Sequence, residues 1–195
     1  MAKDKKKKFA SQQRVLVDNA NISSDLKFRI EEAYKSIRAN IMFSVVKKGC
    51  KIIVVSSSLP NEGKTTTTVN LAASISQADQ RVLLIDGDLR KPKIHQYFSV
   101  SSAPGLTDYL SDVASARHKM DIFGIIHPTK YENLSVITSG TIPPNPAELL
   151  GSDFMRDFLN GISKDFDYII IDTPPLNVVS DALPLIRESD GIVLV

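Results

Sequence analysis

Five short apolar runs, rich in β-branched residues and alternating with stretches of helical spacing, constrain this chain more than any other feature. They lie at 52–55, 82–85, 134–137, 168–171 and 192–195. A strand with one wet face alternates polar and apolar residues, whereas a continuous apolar run marks a strand buried on both faces of a parallel sheet. Helical segments fit at 64–78, 92–98, 105–111, 152–163 and 180–188. This alternation predicts an α/β domain of three layers, doubly wound around a mostly parallel sheet with right-handed crossovers.

A further helix is predicted ahead of the first strand. Ser24 suits its N-cap and Asp25 its first turn, where a negative charge meets the helix dipole. Leu26, Ile30, Ala33, Ile37, Ile41 and Val45 recur at helical spacing up to about Lys47, and Gly49 is expected to end the helix. Glu32, Lys35 and Arg38 form a charged stripe on it, most simply a solvated face with weak i,i+3 pairing. Residues 1–23 open with Lys3, Lys5, Lys6, Lys7, Lys8 and Arg14 against a single Asp4 over the first 14 positions. They are expected to be a flexible, solvated segment; beside an anionic membrane each basic residue would contribute about 1 kcal/mol of attraction. Residues 24–195 form the folded domain, and its last run stops mid-strand, so the domain is expected to be cut short there.

Several classes are disfavoured. No run approaches the roughly 18 apolar residues of a transmembrane helix, and no apolar stretch follows the basic start as in a secretory signal. The single cysteine, Cys50, precludes an internal disulfide and fits a reducing compartment. No basic stripe interleaved with aromatics marks a nucleic-acid surface. His95, His118 and His127 lack ligand spacing and are expected on the surface or in loops. The stretch 141–146, with Pro143, Pro144 and Pro146, is expected to be a rigid surface loop.

Three motifs fall at the carboxyl ends of predicted strands. The first, Ser57-Ser58-Leu59-Pro60-Asn61-Glu62-Gly63-Lys64-Thr65, runs from a buried strand into a helix opened by Gly63-Lys64-Thr65-Thr66. In such a phosphate-binding loop the backbone N–H groups cradle phosphates, the lysine reaches the β- and γ-phosphates, and the Ser/Thr hydroxyl ligates Mg²⁺. Ser58 stands where the strict pattern has its first glycine. The candidate nucleotide-binding residues are therefore Ser58, Pro60, Asn61, Glu62, Gly63, Lys64, Thr65 and Thr66. The second motif places Asp86 and Asp88 after a strand, a hard oxygen site suited to magnesium. The third ends an apolar strand on Asp172, followed by Thr173-Pro174-Pro175, the form of a second magnesium-sensing carboxylate. Thr65, Asp88 and Asp172 are the candidate metal residues. Convergence at the carboxyl edge of an open α/β sheet, where ligands bind, implies a P-loop NTPase fold holding ATP and Mg²⁺.

From about residue 24 onward the chain resembles the bacterial tyrosine kinases (BY-kinases) of capsular and exopolysaccharide biosynthesis. The resemblance rests on S-x-x-P-x-E-G-K-S/T at 57–65, an apolar run with D-x-D-x-R at 83–90, D-x-x-P at the end of 169–175, and the proline-rich stretch from Gly140. It implies autokinase activity on protein tyrosines, with Lys64 and Asp86 catalytic and Asp86 taking the tyrosine proton. It also implies a homo-oligomer through Glu32, Lys35 and Arg38, and a separate transmembrane activator whose cytoplasmic segment promotes activity. The location implied is the cytoplasm, peripheral at the inner face of the membrane. The chain departs from the family in two ways. Lys35 replaces an arginine of E-x-x-R-x-x-R, losing the bidentate fork, so self-association should be weaker. A C-terminal tyrosine cluster is missing, with Tyr34, Tyr97, Tyr109, Tyr131 and Tyr168 scattered. The alternative is a switch ATPase of the partition and division-site class, but Leu59 stands where those proteins carry an extra lysine.

Overall fold

A computed structural model describes residues 23–116 and 119–195. The basic segment, apart from Ser23, and His118 lie outside the described residues. The order is α1 (Ser24–Ser44), β1 (Lys51–Ser56), α2 (Lys64–Ser76), β2 (Val82–Asp86), α3 (Ile94–Phe98), α4 (Leu106–Ala114), a 3-10 turn (Ile122–Ile125), β3 (Ile126–Pro128), β4 (Leu134–Ile137), α5 (Pro146–Leu150), α6 (Asp153–Ile162), β5 (Tyr168–Asp172), α7 (Ala182–Glu188) and β6 (Gly191–Leu194).

The six strands form one sheet in the order β3-β4-β2-β5-β1-β6. Every pairing is parallel except the antiparallel pair of β3 and β4. The register sets Val55 opposite Asp172 across β1 and β5, and Asp86 opposite Asp172 across β2 and β5. The second and third carboxylate motifs are thus neighbours by strand pairing, and the phosphate loop leaves the strand on the other side of β5.

Alternate residues of the central strands feed two cores. Val54, Leu83, Ile85, Ile169 and Ile171 meet α4, α6 and α7 through Leu110, Phe158, Leu159 and Leu185. Ile53, Val55, Leu84 and Ile170 meet α2 through Val69, Ala72 and Ala73. This double burial explains the continuous runs. The exception is β6, an edge strand that leaves Ile192 and Leu194 exposed; its run was expected to be covered on both faces.

Three other expectations are corrected. Ser23, not Ser24, caps α1, its hydroxyl accepting from Leu26 N–H, and the helix ends at Ser44 with Val45 as C-cap rather than running to Lys47. Gly49, at φ 82°, serves the turn into β1 instead. The proline-rich loop is shorter than expected because buried Pro146 opens α5 at a position where its missing N–H costs nothing. His95 and His127 lie in α3 and β3 and are half-buried, not in loops.

Candidate functional site

At the carboxyl ends of β1, β2 and β5 lies a cavity of about 350 Å³, lined on one side by Pro60, Asn61, Gly63, Lys64, Thr65 and Thr66. Gly63 sits at φ 91° as the N-cap of α2 without a side-chain cap, leaving the first N–H groups of the helix for a ligand. The loop is braced from within: Leu59 N–H donates to Glu62 Oε2 at 2.8 Å, and the Ser57 hydroxyl donates to Leu59 O at 2.8 Å. Glu62 therefore holds the loop's own backbone, and Ser58 is anchored through its carbonyl to Asn177 N–H. Neither lines the cavity, unlike the other six loop residues expected at the nucleotide.

The charged centre is a compact network. The Lys64 ammonium lies between two carboxylates, 2.9 Å from Asp88 Oδ2 and 3.4 Å from Asp172 Oδ2. The Thr65 hydroxyl donates to Asp172 Oδ2 at 2.7 Å. Burial works against the charge on Lys64, but Asp172 and Asp88 outweigh it and hold the ammonium above the usual lysine value. Burial pushes the Asp172 carboxyl up, with Lys64, Thr65 and Thr68 pulling it down. Lys64, Thr65, Asp88 and Asp172 are brought together as their motifs implied.

Asp86 is placed differently. It is fully buried and off the cavity wall. Its Oδ2 accepts from Lys93 N–H at 3.0 Å and Ile94 N–H at 2.9 Å, capping α3, while Oδ1 is buried without a partner. Burial and the neighbouring Asp172 push its carboxyl up to about 7, far above the ordinary aspartate value.

On α1, Lys35 pairs with Glu32 at 2.8 Å, both half-exposed. Arg38 leaves the expected stripe: it turns inward and donates to Ser74 O of α2 at 2.5 Å, binding its own domain.

Some contributors were not singled out. The Thr68 hydroxyl lies 2.7 Å from Lys64 O and 3.0 Å from Asp172 Oδ1, its one proton shared between the two acceptors; its place three residues after Thr65, on the same helix face, was the available signal. Arg90, singled out only as the last residue of D-x-D-x-R, makes a two-pronged contact with buried Asp181 at 2.6 and 3.1 Å, and it is this partner, 91 residues away, that no local pattern reveals. Pro174, Pro175, Val178 and Val179 form the cavity's apolar wall.

The AAA domain family matches residues 50–194. Tyrosine-protein kinase YwqD of Bacillus subtilis (strain 168) is 42% identical over 164 residues, covering 84% of this chain and 67% of that protein. The chain belongs to the bacterial tyrosine-protein kinases. Within this kinase family, CpsD of Streptococcus pneumoniae is 41% identical over 168 residues, covering 86% of this chain and 70% of that one. The kinase domain of the Escherichia coli tyrosine kinase Etk superposes with a TM-score of 0.79 at 36% identity, covering 93% of this chain and 66% of that chain. The septum site-determining protein MinD of Pyrococcus horikoshii, solved with Mg-ADP, is more distant: its TM-score of 0.61 at 22% identity, covering 75% of this chain and 57% of that one, reflects the shared fold. The kinase chain thus carries an ATP-binding domain of the P-loop ATPase type. No described helix is long and apolar enough to cross a membrane.

Proposed function

We propose that this tyrosine kinase binds Mg·ATP in the cavity beside the loop at 57–65 and transfers the γ-phosphate to a protein tyrosine. The observation that carries the reading is the joined network of Lys64, Thr65, Asp88 and Asp172 at the opening of α2. Its donors suit magnesium: one hydroxyl and two carboxylates, all hard oxygens, with phosphate and water completing the shell. Among the described residues no cluster of three or more His, Cys, Asp or Glu side chains could cage an ion. That favours an ion shared with the nucleotide, held by Thr65, Asp88 and Asp172. When bound, it supplies charge neutralisation on the phosphate oxygens.

The residues divide the remaining work. The free N–H groups after Gly63 and the Thr66 hydroxyl hold phosphate, while Pro60 and Asn61 form the rim and Ser58 and Glu62 keep the loop in shape. Lys64 turns from Asp88 to the β- and γ-phosphate oxygens, where charge accumulates as the phosphoryl group moves. Asp86, buried off the cavity wall, fixes the start of α3 beside the cavity through Lys93 N–H and Ile94 N–H, one step removed from the phenol.

At the level of the assembly, the reading is an autokinase that regulates capsular or exopolysaccharide biosynthesis at the inner face of the membrane. A transmembrane activator recruits it through a cytoplasmic segment. Copies associate through α1, where Glu32 and Lys35 are exposed; Arg38 supports that surface from behind by fixing α1 to α2.

The test is transfer of label from ATP to a tyrosine-rich peptide, with and without the activator's cytoplasmic segment. Phosphotyrosine should appear on the peptide and vanish in Lys64→Met. Release of free phosphate alone, stimulated by DNA or a membrane surface, would establish the switch-ATPase alternative instead.

A further inference from the structure

Tyr97 is the one aromatic side chain on the wall of the cavity among the described residues. Its hydroxyl lies 2.7 Å from the Thr66 hydroxyl, one turn inside the opening of α2. Among the described residues Thr66 Oγ1 has no other partner, and the Thr66 carbonyl is already occupied by the Asn70 side-chain amide at 2.7 Å.

Tyr97 is not a loose contact. It belongs to α3, whose first turn is fixed by the Asp86 carboxylate through Lys93 N–H and Ile94 N–H. Its ring, with neighbouring Phe98 and Val100, packs on the core beneath α2. The short helix is therefore tied at one end to the carboxylate motif and at the other to the phosphate loop.

The hydroxyl pair shares one proton. A phenol is the more acidic of the two and the better donor, and burial keeps it protonated by raising it above the usual tyrosine value. With Tyr97 donating, the Thr66 proton is left for the cavity, and two hydroxyls in series strengthen one another's polarity. We infer that Tyr97 is a positioning residue for the nucleotide: it donates to Thr66 Oγ1 and so makes the Thr66 hydroxyl an outward donor to a phosphate oxygen. This rests on the assignment of the cavity to ATP.

The experiment is titration with a fluorescent ATP analogue of wild type, Tyr97→Phe, Thr66→Val and the double variant, with steady-state kinetics in parallel. Loss of one hydrogen bond of ordinary strength weakens binding about fivefold. Tyr97→Phe should show that weakening, and its KM for ATP should rise with little change in turnover at saturating ATP. The double variant should bind no worse than Thr66→Val, because the phenol acts only through Thr66. The thermal midpoint of nucleotide-free Tyr97→Phe should fall by no more than a few degrees, the cost of the one internal hydrogen bond it loses, so that the variant stays folded through the titration. Wild-type affinity in Tyr97→Phe, or additive losses in the double variant, would overturn the inference. A wild-type protein that binds no ATP would instead overturn the assignment of the cavity, a result distinguishable from either.

Discussion

Replacing Asp86 by asparagine isolates the electrostatic strain built into the site. The carboxyl titrates at about 7 in the folded chain against 3.8 when free. For an acid, a raised folded value means that the native state holds its proton over a range where the unfolded chain has lost it. Stability therefore falls as pH climbs from about 4 to about 7 and levels off above. At about 1.4 kcal/mol per pH interval, the raised carboxyl costs about 4 kcal/mol at pH 8 but only about 2 kcal/mol at pH 5. Asparagine keeps an oxygen for Lys93 N–H and Ile94 N–H. Its amino group takes the place of the partnerless Oδ1, at a pH-independent cost of about 1–3 kcal/mol. The diagnostic quantity is thus the change in the variant's relative stability between pH 5 and pH 8, about 2–3 kcal/mol in favour of the variant. Urea unfolding of both proteins in EDTA, without nucleotide, measures it. A stability difference that stays flat across that range would refute the claim that Asp86 bears the strain.

Three further outcomes are expected. Lys64→Met should lose phosphoryl transfer yet retain a folded far-UV circular dichroism spectrum, with a lower thermal midpoint at neutral pH because Asp88 and Asp172 lose the ammonium between them. Gly87→Ala should destabilise by about 1–3 kcal/mol in chemical denaturation, since its Cβ would lie 2.8 Å from Asp172 O and 2.9 Å from Ile171 Cγ2, and should raise the magnesium needed for activity by shifting Asp172. Cys50, raised to about 11 by burial, should react with iodoacetamide far more slowly than free cysteine at pH 8 and gain reactivity as pH approaches 11; a rate equal to that of free thiol would contradict its placement.

The parts of this kinase legible in sequence were those written in consecutive residues. The loop at 57–65, Asp88 and Asp172 each sit directly after an apolar run, and the parallel sheet follows from that alternation. β3 was not legible because three residues including His127 and Pro128 make no run; its pairing with β4 supplies the pattern. α5 was hidden behind the prolines that introduce it. Arg38 looked like the third member of a stripe because spacing alone does not report that Ser74 O lies within its reach. The burial of Asp86, the Arg90–Asp181 pair and the Tyr97–Thr66 contact all depend on how separate crossovers come to rest against one another, information carried by the assembled sheet.

The lysine between two aspartates has a consequence for how ligands enter the site. Lys64 acts as counter-ion to Asp88 and Asp172. On its proposed role, a triphosphate draws that lysine away and leaves the two carboxylates facing each other in a poorly hydrated setting. Only a replacement cation restores their balance, so nucleotide and metal are partners in an ion exchange rather than independent guests. By linkage, the factor by which magnesium tightens ATP must equal the factor by which ATP tightens magnesium. On the same reading, magnesium and ATP each bind more weakly alone than together.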